Sequence, residues 1–205
     1  GWKRADGTRR FRRCYIEQGK GNGKSPLAGG IGLYGMMADG EAGAQVFAAA
    51  AKMDQARILF DDAVKMVRQS PMLEERITPS GVNPVYNLAD LKTGSFFRPV
   101  GRDTGKTGSG LRPHFALLDE IHEHPNRDTL EMLERGFKFR RQPLLLMITN
   151  SGSDRNSICW EEHEHAVKVA HGEEQDDNTF SYVCALDEGD DPLEGWWLRA
   201  PVVLA

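Results

Sequence analysis

Short, nearly continuous apolar runs recur along the chain and alternate with longer segments in which apolar residues return at helical spacing. The runs cover residues 44–49, 114–118 and 143–148, and the helical segments cover residues 53–69, 129–137 and 158–172. Apolar runs of this length are typical of strands that are buried on both faces of a parallel sheet. Strands that alternate with helices predict an α/β fold with a mostly parallel central sheet flanked by helices.

The remaining segments give weaker signals. Residues 11–18 are β-prone, and residues 179–186 predict a last strand. The stretch 71–113 is rich in turn residues, and within it residues 86–88 and 95–100 predict two short strands that form a hairpin.

The composition is that of a globular domain, because 40 % of the residues are hydrophobic and 27 % are charged. No window approaches the roughly 18 consecutive apolar residues of a membrane span. The cysteines Cys14, Cys159 and Cys184 are too few and too widely spaced for a disulfide framework, which predicts reduced thiols.

Charge is unevenly distributed around a net value of −4. Residues 3–13 contain six arginines and lysines and one acid, Asp6, whereas residues 172–194 are rich in acids. The basic arm predicts either a solvated segment or a contact with nucleic-acid phosphates. The acidic stretch predicts a solvated loop.

A glycine-rich loop follows the first β-prone segment and precedes a predicted helix that begins at Ser25. Its residues are Gln18, Gly19, Lys20, Gly21, Asn22, Gly23, Lys24 and Ser25. They match the P-loop pattern Gly-x-x-x-x-Gly-Lys-Ser/Thr except at Gln18, which stands where the first glycine belongs. Glycines let successive backbone N–H groups point at phosphate oxygens, and the N-terminus of the following helix favours the same negative charge.

We therefore expect this loop to bind the phosphates of ATP. Lys24 would contact the β- and γ-phosphates, and Ser25 would ligate Mg²⁺. Lys20 is either a second cation near the nucleotide or a solvated loop lysine. The alternative for the whole segment is an ordinary corner between a strand and a helix.

Two adjacent carboxylates, Asp119 and Glu120, follow the apolar run 114–118. Two acids at the end of a buried strand are unfavourable unless a cation or hydrogen-bond donors satisfy them. We expect Asp119 to hold Mg²⁺ together with Ser25, and Glu120 to orient and polarise the attacking water as the catalytic base. The alternative is an acidic pair that caps a helix after the strand.

Small polar residues follow the run 143–148, beginning with Thr149 and Asn150. In P-loop ATPases of the additional-strand (ASCE) type, such a strand lies between the strand before the P-loop and the strand that ends in the acidic pair. Its tip can sense the γ-phosphate or the water, so Thr149 and Asn150 are candidate catalytic residues. The alternative is a polar turn between a strand and a loop.

Phosphoryl transfer commonly also uses an arginine finger, often from a neighbouring subunit. Arg102 and Arg112 flank the polar loop before the acidic strand and are the candidates, and Arg140 and Arg141 precede the next strand.

The histidines follow no zinc-binding pattern. His122 and His124 follow the acidic pair, and the spacing of Cys159, His163 and His165 fits no set of paired ligands. These histidines are interpreted as surface or core residues.

Taken together, these motifs resemble the large terminase subunit of tailed double-stranded DNA phages. The resemblance is carried, in order along the chain, by residues 6–12, 22–25, 117–122, 141–143 and 148–152. A P-loop that lacks its first glycine and carries a basic residue at the position of Lys20 is typical of that family.

The resemblance implies an ATPase of the ASCE type that packs viral double-stranded DNA into a procapsid and uses ATP and Mg²⁺. The roles of that family fall on Lys24 and Ser25 for phosphate and Mg²⁺, on Asp119 for Mg²⁺, on Glu120 as base, and on Thr149 and Asn150 for coupling hydrolysis to movement.

The implied partners are double-stranded DNA, a portal protein, a small terminase subunit and further copies in a homo-oligomeric ring. The implied location is the host cytoplasm at the procapsid, without a membrane. Because large terminase subunits join an N-terminal ATPase domain to a C-terminal nuclease domain, we expect residues 1–195 to be the ATPase domain. Residues 196–205 would then begin a linker toward the nuclease.

Two other functions remain open from the sequence. One is another P-loop translocase on nucleic acid, of the helicase type, which usually requires a second ATPase-like domain. The other is a nucleotide- or DNA-binding module that does not hydrolyse ATP, and the presence of Glu120 argues against it. DNA-stimulated turnover would exclude this second function.

Overall fold

The computed structural model describes residues 2–101 and 110–184 of the chain. Its strands are β1 (Arg13–Glu17), β2 (Gln45–Ala49), β3 (Thr78–Ser80), β4 (Asn87–Asp90), β5 (Ser95–Val100), β6 (Phe115–Asp119), β7 (Leu144–Thr149) and β8 (Thr179–Val183). Its α-helices are α1 (Lys24–Met37), α2 (Met53–Gln69), α3 (Pro71–Arg76), α4 (Asp128–Gly136) and α5 (Ile158–His171). Short 3₁₀ helices occupy Ile121–Glu123 and Phe137–Phe139.

The strands form one sheet in the order β3-β4-β5-β2-β6-β7-β1-β8. The six strands β5, β2, β6, β7, β1 and β8, taken in this spatial order, run parallel to their neighbours. Strands β4 and β3 extend the β5 edge in antiparallel pairs. Strand β7 lies between β1 and β6. This is the additional-strand order, so the ASCE architecture predicted from the sequence is confirmed.

Both faces of the central strands are buried. In β6, Phe115 and Leu117 lie in the core on one side of the sheet, and Ala116 and Leu118 lie in the core on the other side. Helices α1 and α2 cover the first face, and α4 and α5 cover the second. This double burial explains why the strand segments are nearly continuous apolar runs.

Helix α1 lies very close to the sheet because it carries glycines where most helices carry side chains. A Cβ atom on Gly35 would lie 2.4 Å from the ring of Phe115, and one on Gly32 would lie 2.6 Å from the ring of Phe97. The aromatic rings of β5 and β6 therefore fill the space that side chains of α1 would otherwise occupy.

Most predicted elements are present, with ends that shift by one or two residues. Helix α1 begins at Lys24 where Ser25 was predicted, and β4 pairs with β5 in the predicted hairpin. Strand β3 and helix α3 were not predicted, because both are short and α3 buries none of its residues. The last two residues of the predicted strand 179–186 lie outside the described residues.

Two expectations from the composition concern the cysteines and the membrane. Cys14, Cys159 and Cys184 are all free cysteines. In the described part of the chain, no helix has the length and apolar character needed to cross a membrane.

Candidate active site

The glycine loop connects β1 to α1 at the carboxyl edge of the sheet. Gly21 and Gly23 have φ angles of 85° and 76°, in the left-handed region that glycine adopts most easily. Gly23 is the N-cap of α1, whose first N–H groups have no partners within the helix. The loop from Gly19 to Gly23 is exposed. Together, the loop and the start of the helix form a cradle suited to an anion.

Lys24 is the first residue of α1 and folds back over the loop, with only 6 % of the residue exposed. Its Nζ donates to the carbonyl oxygens of Gln18 at 2.9 Å and Gly19 at 3.1 Å, and to Asn150 Oδ1 at 2.6 Å. A lysine has three N–H donors, and these contacts use all of them. A phosphate that binds Lys24 must therefore displace one of these acceptors.

Strand β6 brings Asp119 to the start of α1. Asp119 alternates with Leu117 and Phe115, so it lies on the sheet face that α1 covers. Ser25 Oγ donates to Asp119 Oδ2 at 3.4 Å. Burial, and next the negative charge of Glu120, raise the pKa of Asp119 to about 6.

This pair of residues fits Mg²⁺. The Ser25 hydroxyl and the Asp119 carboxylate supply the oxygen ligands that Mg²⁺ prefers, and a cation would favour the ionised form that burial now disfavours. Within residues 2–101 and 110–184, no group of three His, Cys, Asp or Glu side chains is arranged to hold a metal ion. Mg²⁺ is commonly held by one or two protein groups together with phosphates, and Ser25 and Asp119 are the residues that would hold it.

Glu120 leaves β6 in a left-handed conformation, with φ of 48°. For a residue with a side chain this conformation costs about 1–3 kcal/mol, so the surrounding contacts must support it. Asn150 Nδ2 donates to the two carboxylate oxygens of Glu120, at 3.3 Å to Oε1 and 3.1 Å to Oε2. Asn150 therefore contacts both Lys24 and Glu120.

The tip of β7 is tied to Glu120 by a second route. Thr149 Oγ1 donates to the Asn150 carbonyl at 2.9 Å, and His122 Nδ1 lies 3.0 Å from the same hydroxyl oxygen. His122 Nδ1 also lies 3.3 Å from Glu120 Oε2. The structure thus brings the predicted residues Lys24, Thr149, Asn150 and Glu120 together, and it adds His122, to which the sequence analysis gave no role.

A buried carboxylate that the sequence analysis missed lies next to the P-loop. Glu17 is the last residue of β1 and is 2 % exposed. Its Oε1 accepts from Ser151 Oγ at 2.7 Å, and its Oε2 accepts from Tyr15 Oη at 2.7 Å and His163 Nδ1 at 2.8 Å. Burial acts to raise the pKa of Glu17, but these hydrogen bonds outweigh it and lower the pKa below its ordinary value.

These contacts join the P-loop strand to the segment after β7. Besides the Glu17–Ser151 hydrogen bond, the backbone N–H of Gln18 donates to the Thr149 carbonyl at 3.2 Å. A charged residue at the end of a β-prone run, directly before a P-loop, is the signal that could have indicated Glu17. His163, interpreted as a surface or core histidine, is its partner.

The arginine candidates lie elsewhere. Arg112 precedes β6, and Arg140 and Arg141 precede β7, so all three lie at the amino edge of the sheet, opposite Lys24. Arg140 Nε donates to the Arg112 carbonyl at 2.9 Å. None of them can reach the P-loop of the same chain. Arg102 lies outside the described residues.

Comparison with known proteins identifies a family and two curated relatives that this chain resembles. A family model described as the terminase large subunit, ATPase domain, matches residues 1–168. The large terminase subunit of Enterobacteria phage HK97 is 32 % identical over 138 residues, which are 65 % of this chain and 26 % of that protein. The protein YmfN of Escherichia coli K12 is 32 % identical over 90 residues, which are 44 % of this chain and 20 % of that protein.

Solved structures agree with these relatives. The crystal structure of the HK97 large terminase matches with a TM-score of 0.75 and 26 % identity, over 88 % of this chain and 37 % of that one. The large terminase of the thermophilic bacteriophage D6E in complex with ADP shares the fold, with a TM-score of 0.59 and 11 % identity over 86 % of this chain and 41 % of that one. The chain spans between a fifth and about a quarter of the length of the curated relatives. By its match to the family model over most of its length, the chain belongs to the family of terminase large subunit ATPase domains.

Proposed function

We propose that this domain binds Mg-ATP at the carboxyl edge of its sheet and hydrolyses it. The observation that carries the proposal is the convergence of Lys24, Ser25, Asp119 and Glu120 from the P-loop, α1 and β6. A phosphate cradle, a pair of Mg²⁺ ligands and a carboxylate base are the parts that phosphoryl transfer to water requires.

Each part has a defined task in this proposal. The backbone N–H groups of Gly19, Lys20, Gly21, Asn22 and Gly23 bind the phosphates, whereas that of Gln18, the other expected phosphate-binding residue of the loop, is already donated to the Thr149 carbonyl. Lys24 exchanges its contact with Asn150 for a phosphate oxygen. Ser25 and Asp119 would hold Mg²⁺, which would neutralise charge on the phosphates.

Glu120 is the base of the reaction in this proposal. Its side chain is 30 % exposed, so an attacking water can reach the carboxylate and transfer its proton there. Asn150 contacts both Glu120 and Lys24, and Thr149 supports Asn150 through its hydroxyl. The tip of β7 therefore links occupation of the phosphate site to the position of the base.

Binding and turnover of Mg-ATP test this proposal in three variants. Lys24→Ala is expected to lose Mg-ATP binding, and Glu120→Gln is expected to bind Mg-ATP but to hydrolyse it at least about 100-fold more slowly. Glu164→Gln is the matched control, because Glu164 is exposed on α5. Calorimetry measures binding, and phosphate release measures turnover. A wild-type chain that binds Mg-ATP without hydrolysing it, with or without DNA, would favour the non-hydrolysing module.

We further propose that hydrolysis drives the translocation of viral double-stranded DNA into a procapsid. Membership of the terminase family supports this role. The proposed partners are DNA, a portal protein, a small terminase subunit and further copies of the chain in a ring, and the proposed location is the procapsid in the host cytoplasm. In such a ring, Arg102 or Arg112 would act on the site of a neighbouring subunit, because Arg112 lies far from its own P-loop.

DNA binding provides a separate test of this second proposal. A translocase must move over any sequence, so its contacts are expected to be with phosphates and to weaken strongly with salt. Stimulation of turnover by DNA, together with affinity that falls as salt rises, is the expected result. Turnover that DNA leaves unchanged would contradict the role in translocation.

The boundary between an ATPase domain at residues 1–195 and a linker at 196–205 falls outside the described residues and stays a prediction.

A further inference from the structure

His122 stands between the proposed base and the tip of β7. Its Nδ1 lies 3.0 Å from Thr149 Oγ1 and 3.3 Å from Glu120 Oε2, and its backbone N–H donates to Thr149 Oγ1 at 3.4 Å. Within the described part of the chain, Asn150 and His122 are the two residues whose side chains contact the Glu120 carboxylate.

The hydrogen bonds of the Thr149 hydroxyl indicate whether His122 donates to it or accepts from it. The single hydroxyl hydrogen of Thr149 is donated to the Asn150 carbonyl at 2.9 Å. With that hydrogen on the carbonyl, the Thr149 oxygen accepts from its other neighbours, and the arrangement consistent with this places a hydrogen on Nδ1 of His122. The nitrogen that makes this hydrogen bond to Thr149 is also the polar atom of His122 that lies 3.3 Å from Glu120 Oε2, and an ionised carboxylate can only accept from it.

The two contacts to Glu120 respond differently to nucleotide. Asn150 contacts Lys24 as well as Glu120, so a phosphate that displaces the Asn150 oxygen from Lys24, as proposed above, would leave the amide free to turn. Among the described residues, the side-chain hydrogen bonds of Lys24 do not include His122, so His122 would keep its contact with Glu120. His122 then remains the side chain that fixes the direction of the carboxylate.

We propose that His122 is a positioning residue: with its Nδ1 held beside Thr149, the ring keeps the Glu120 carboxylate directed toward the attacking water while nucleotide occupies the site. This inference rests on the proposed ATPase function. His122 does not bind the nucleotide in this proposal, so its loss should affect the rate of hydrolysis and leave the affinity for Mg-ATP unchanged.

The kinetic test compares three substitutions of His122 with an exposed control. The amide nitrogen of His122→Asn is as many bonds from Cα as Nδ1 is, whereas that of His122→Gln corresponds to Nε2. We expect His122→Ala and His122→Gln to slow single-turnover hydrolysis about 10- to 100-fold with Mg-ATP affinity unchanged, and His122→Asn to recover most of the rate. The control His171→Asn changes an exposed residue at the end of α5 and should match the wild type. A His122→Ala chain that hydrolyses Mg-ATP at the wild-type rate would overturn the inference.

Truncation at His122 should leave the chain folded, because the residue lines an open, polar cavity of about 510 Å³ beside the start of α5. Thermal unfolding of each variant checks this. A His122→Asn chain that is folded and as slow as His122→Ala would also contradict the proposal, since a donor at the position of Nδ1 would then be insufficient.

A spectroscopic measurement tests the contact without turnover. Long-range ¹H–¹⁵N correlation of the histidine rings, assigned by loss of the His122 signals in His122→Asn, should show hydrogen on Nδ1 of His122 in the wild type. Thr149→Val should shift that signal. A neutral His122 ring with hydrogen only on Nε2 would overturn the inference even if the chain hydrolysed ATP normally. Absence of Mg-ATP binding by the wild type would instead overturn the proposed function.

Discussion

The ammonium group of Lys24 donates a hydrogen bond of 2.6 Å to the side-chain oxygen of Asn150. The same amide donates from its nitrogen to Glu120, so one side chain connects the proposed phosphate-binding lysine to the proposed base. The contact crosses from the first residue of α1 to the first residue after β7. Nucleotide that displaces Asn150 from Lys24, as proposed above, would therefore alter the surroundings of Glu120.

Substitutions at Asn150 should separate binding from hydrolysis. Asn150→Asp places a carboxylate against Lys24, so the phosphate would compete with an ion pair, and Mg-ATP affinity should fall by about tenfold or more. Asn150→Ala removes the competing oxygen, so affinity should be kept or rise while hydrolysis slows because Glu120 loses a contact. Calorimetry and single-turnover kinetics measure the two effects. Equal loss of affinity in both variants would contradict this account.

Asp119 should make the free chain less stable as pH rises. Its pKa is raised from the ordinary 3.8 to about 6, so between these values the folded chain binds more protons than the unfolded chain, and the free energy of unfolding decreases with pH. The effect is at most about 3 kcal/mol. Asp119→Asn should therefore be more stable than wild type at about pH 8 and similar at about pH 4, as measured by urea unfolding without Mg²⁺. A stability difference that does not change with pH would argue against a raised pKa.

The glycines of α1 should respond in opposite directions to alanine. A Cβ atom on Gly35 would lie 2.4 Å from the Phe115 ring, so Gly35→Ala should lower the free energy of unfolding by about 1–3 kcal/mol. For a Cβ atom on Gly30, the nearest atom would be Met66 Sδ at 3.8 Å. Gly30→Ala should therefore raise the free energy of unfolding by up to about 1 kcal/mol through helix propensity. Urea unfolding measures both. Equal effects of the two substitutions would show that the close contact with the sheet does not control stability.

Glu17 should stabilise the fold in its ionised form. Because the folded-state pKa of Glu17 is lowered, its contribution is present above the unfolded pKa and is lost as pH falls through the folded pKa. Glu17→Gln presents an amide to the hydroxyl of Ser151 and the ring of His163 and should cost about 1–3 kcal/mol near neutral pH. Glu164→Gln, on the exposed face of α5, is the control for loss of a carboxylate. A Glu17→Gln chain as stable as this control would contradict the role of the buried cluster.

The sequence predicted the edge of the sheet at which the site lies, because the P-loop, the acidic pair and the polar tip each follow a recognisable apolar run. It also predicted the position of β7 between β1 and β6, through the pattern of the ASCE class. These predictions succeed because parallel strands that share a direction bring their carboxyl ends to one edge.

The contacts between side chains of different elements could not be predicted. Asn150 lies 126 positions from Lys24, and His163 lies 146 positions from Glu17. No local spacing indicates that such residues meet. The left-handed turn at Glu120 is equally hidden, since nothing in the acidic pair requires a positive φ.

The parts of the site are connected by two kinds of contact, one between the P-loop strand and β7 and the other between β7 and Glu120. The P-loop strand and the tip of β7 are joined by the Gln18–Thr149 main-chain hydrogen bond and by Glu17 with Ser151. Glu120 is joined to that unit through the side chains of Asn150 and His122. Strand β6 is itself paired with β7 as far as Asp119 and Ile148, so the adjustable distance at this site is the one between the Glu120 carboxylate, just beyond the end of β6, and the side chains at the tip of β7. The strands β1, β7 and β6 therefore form a rigid base, and a change in the rotamer of Asn150 or His122 would be enough to move the Glu120 carboxylate.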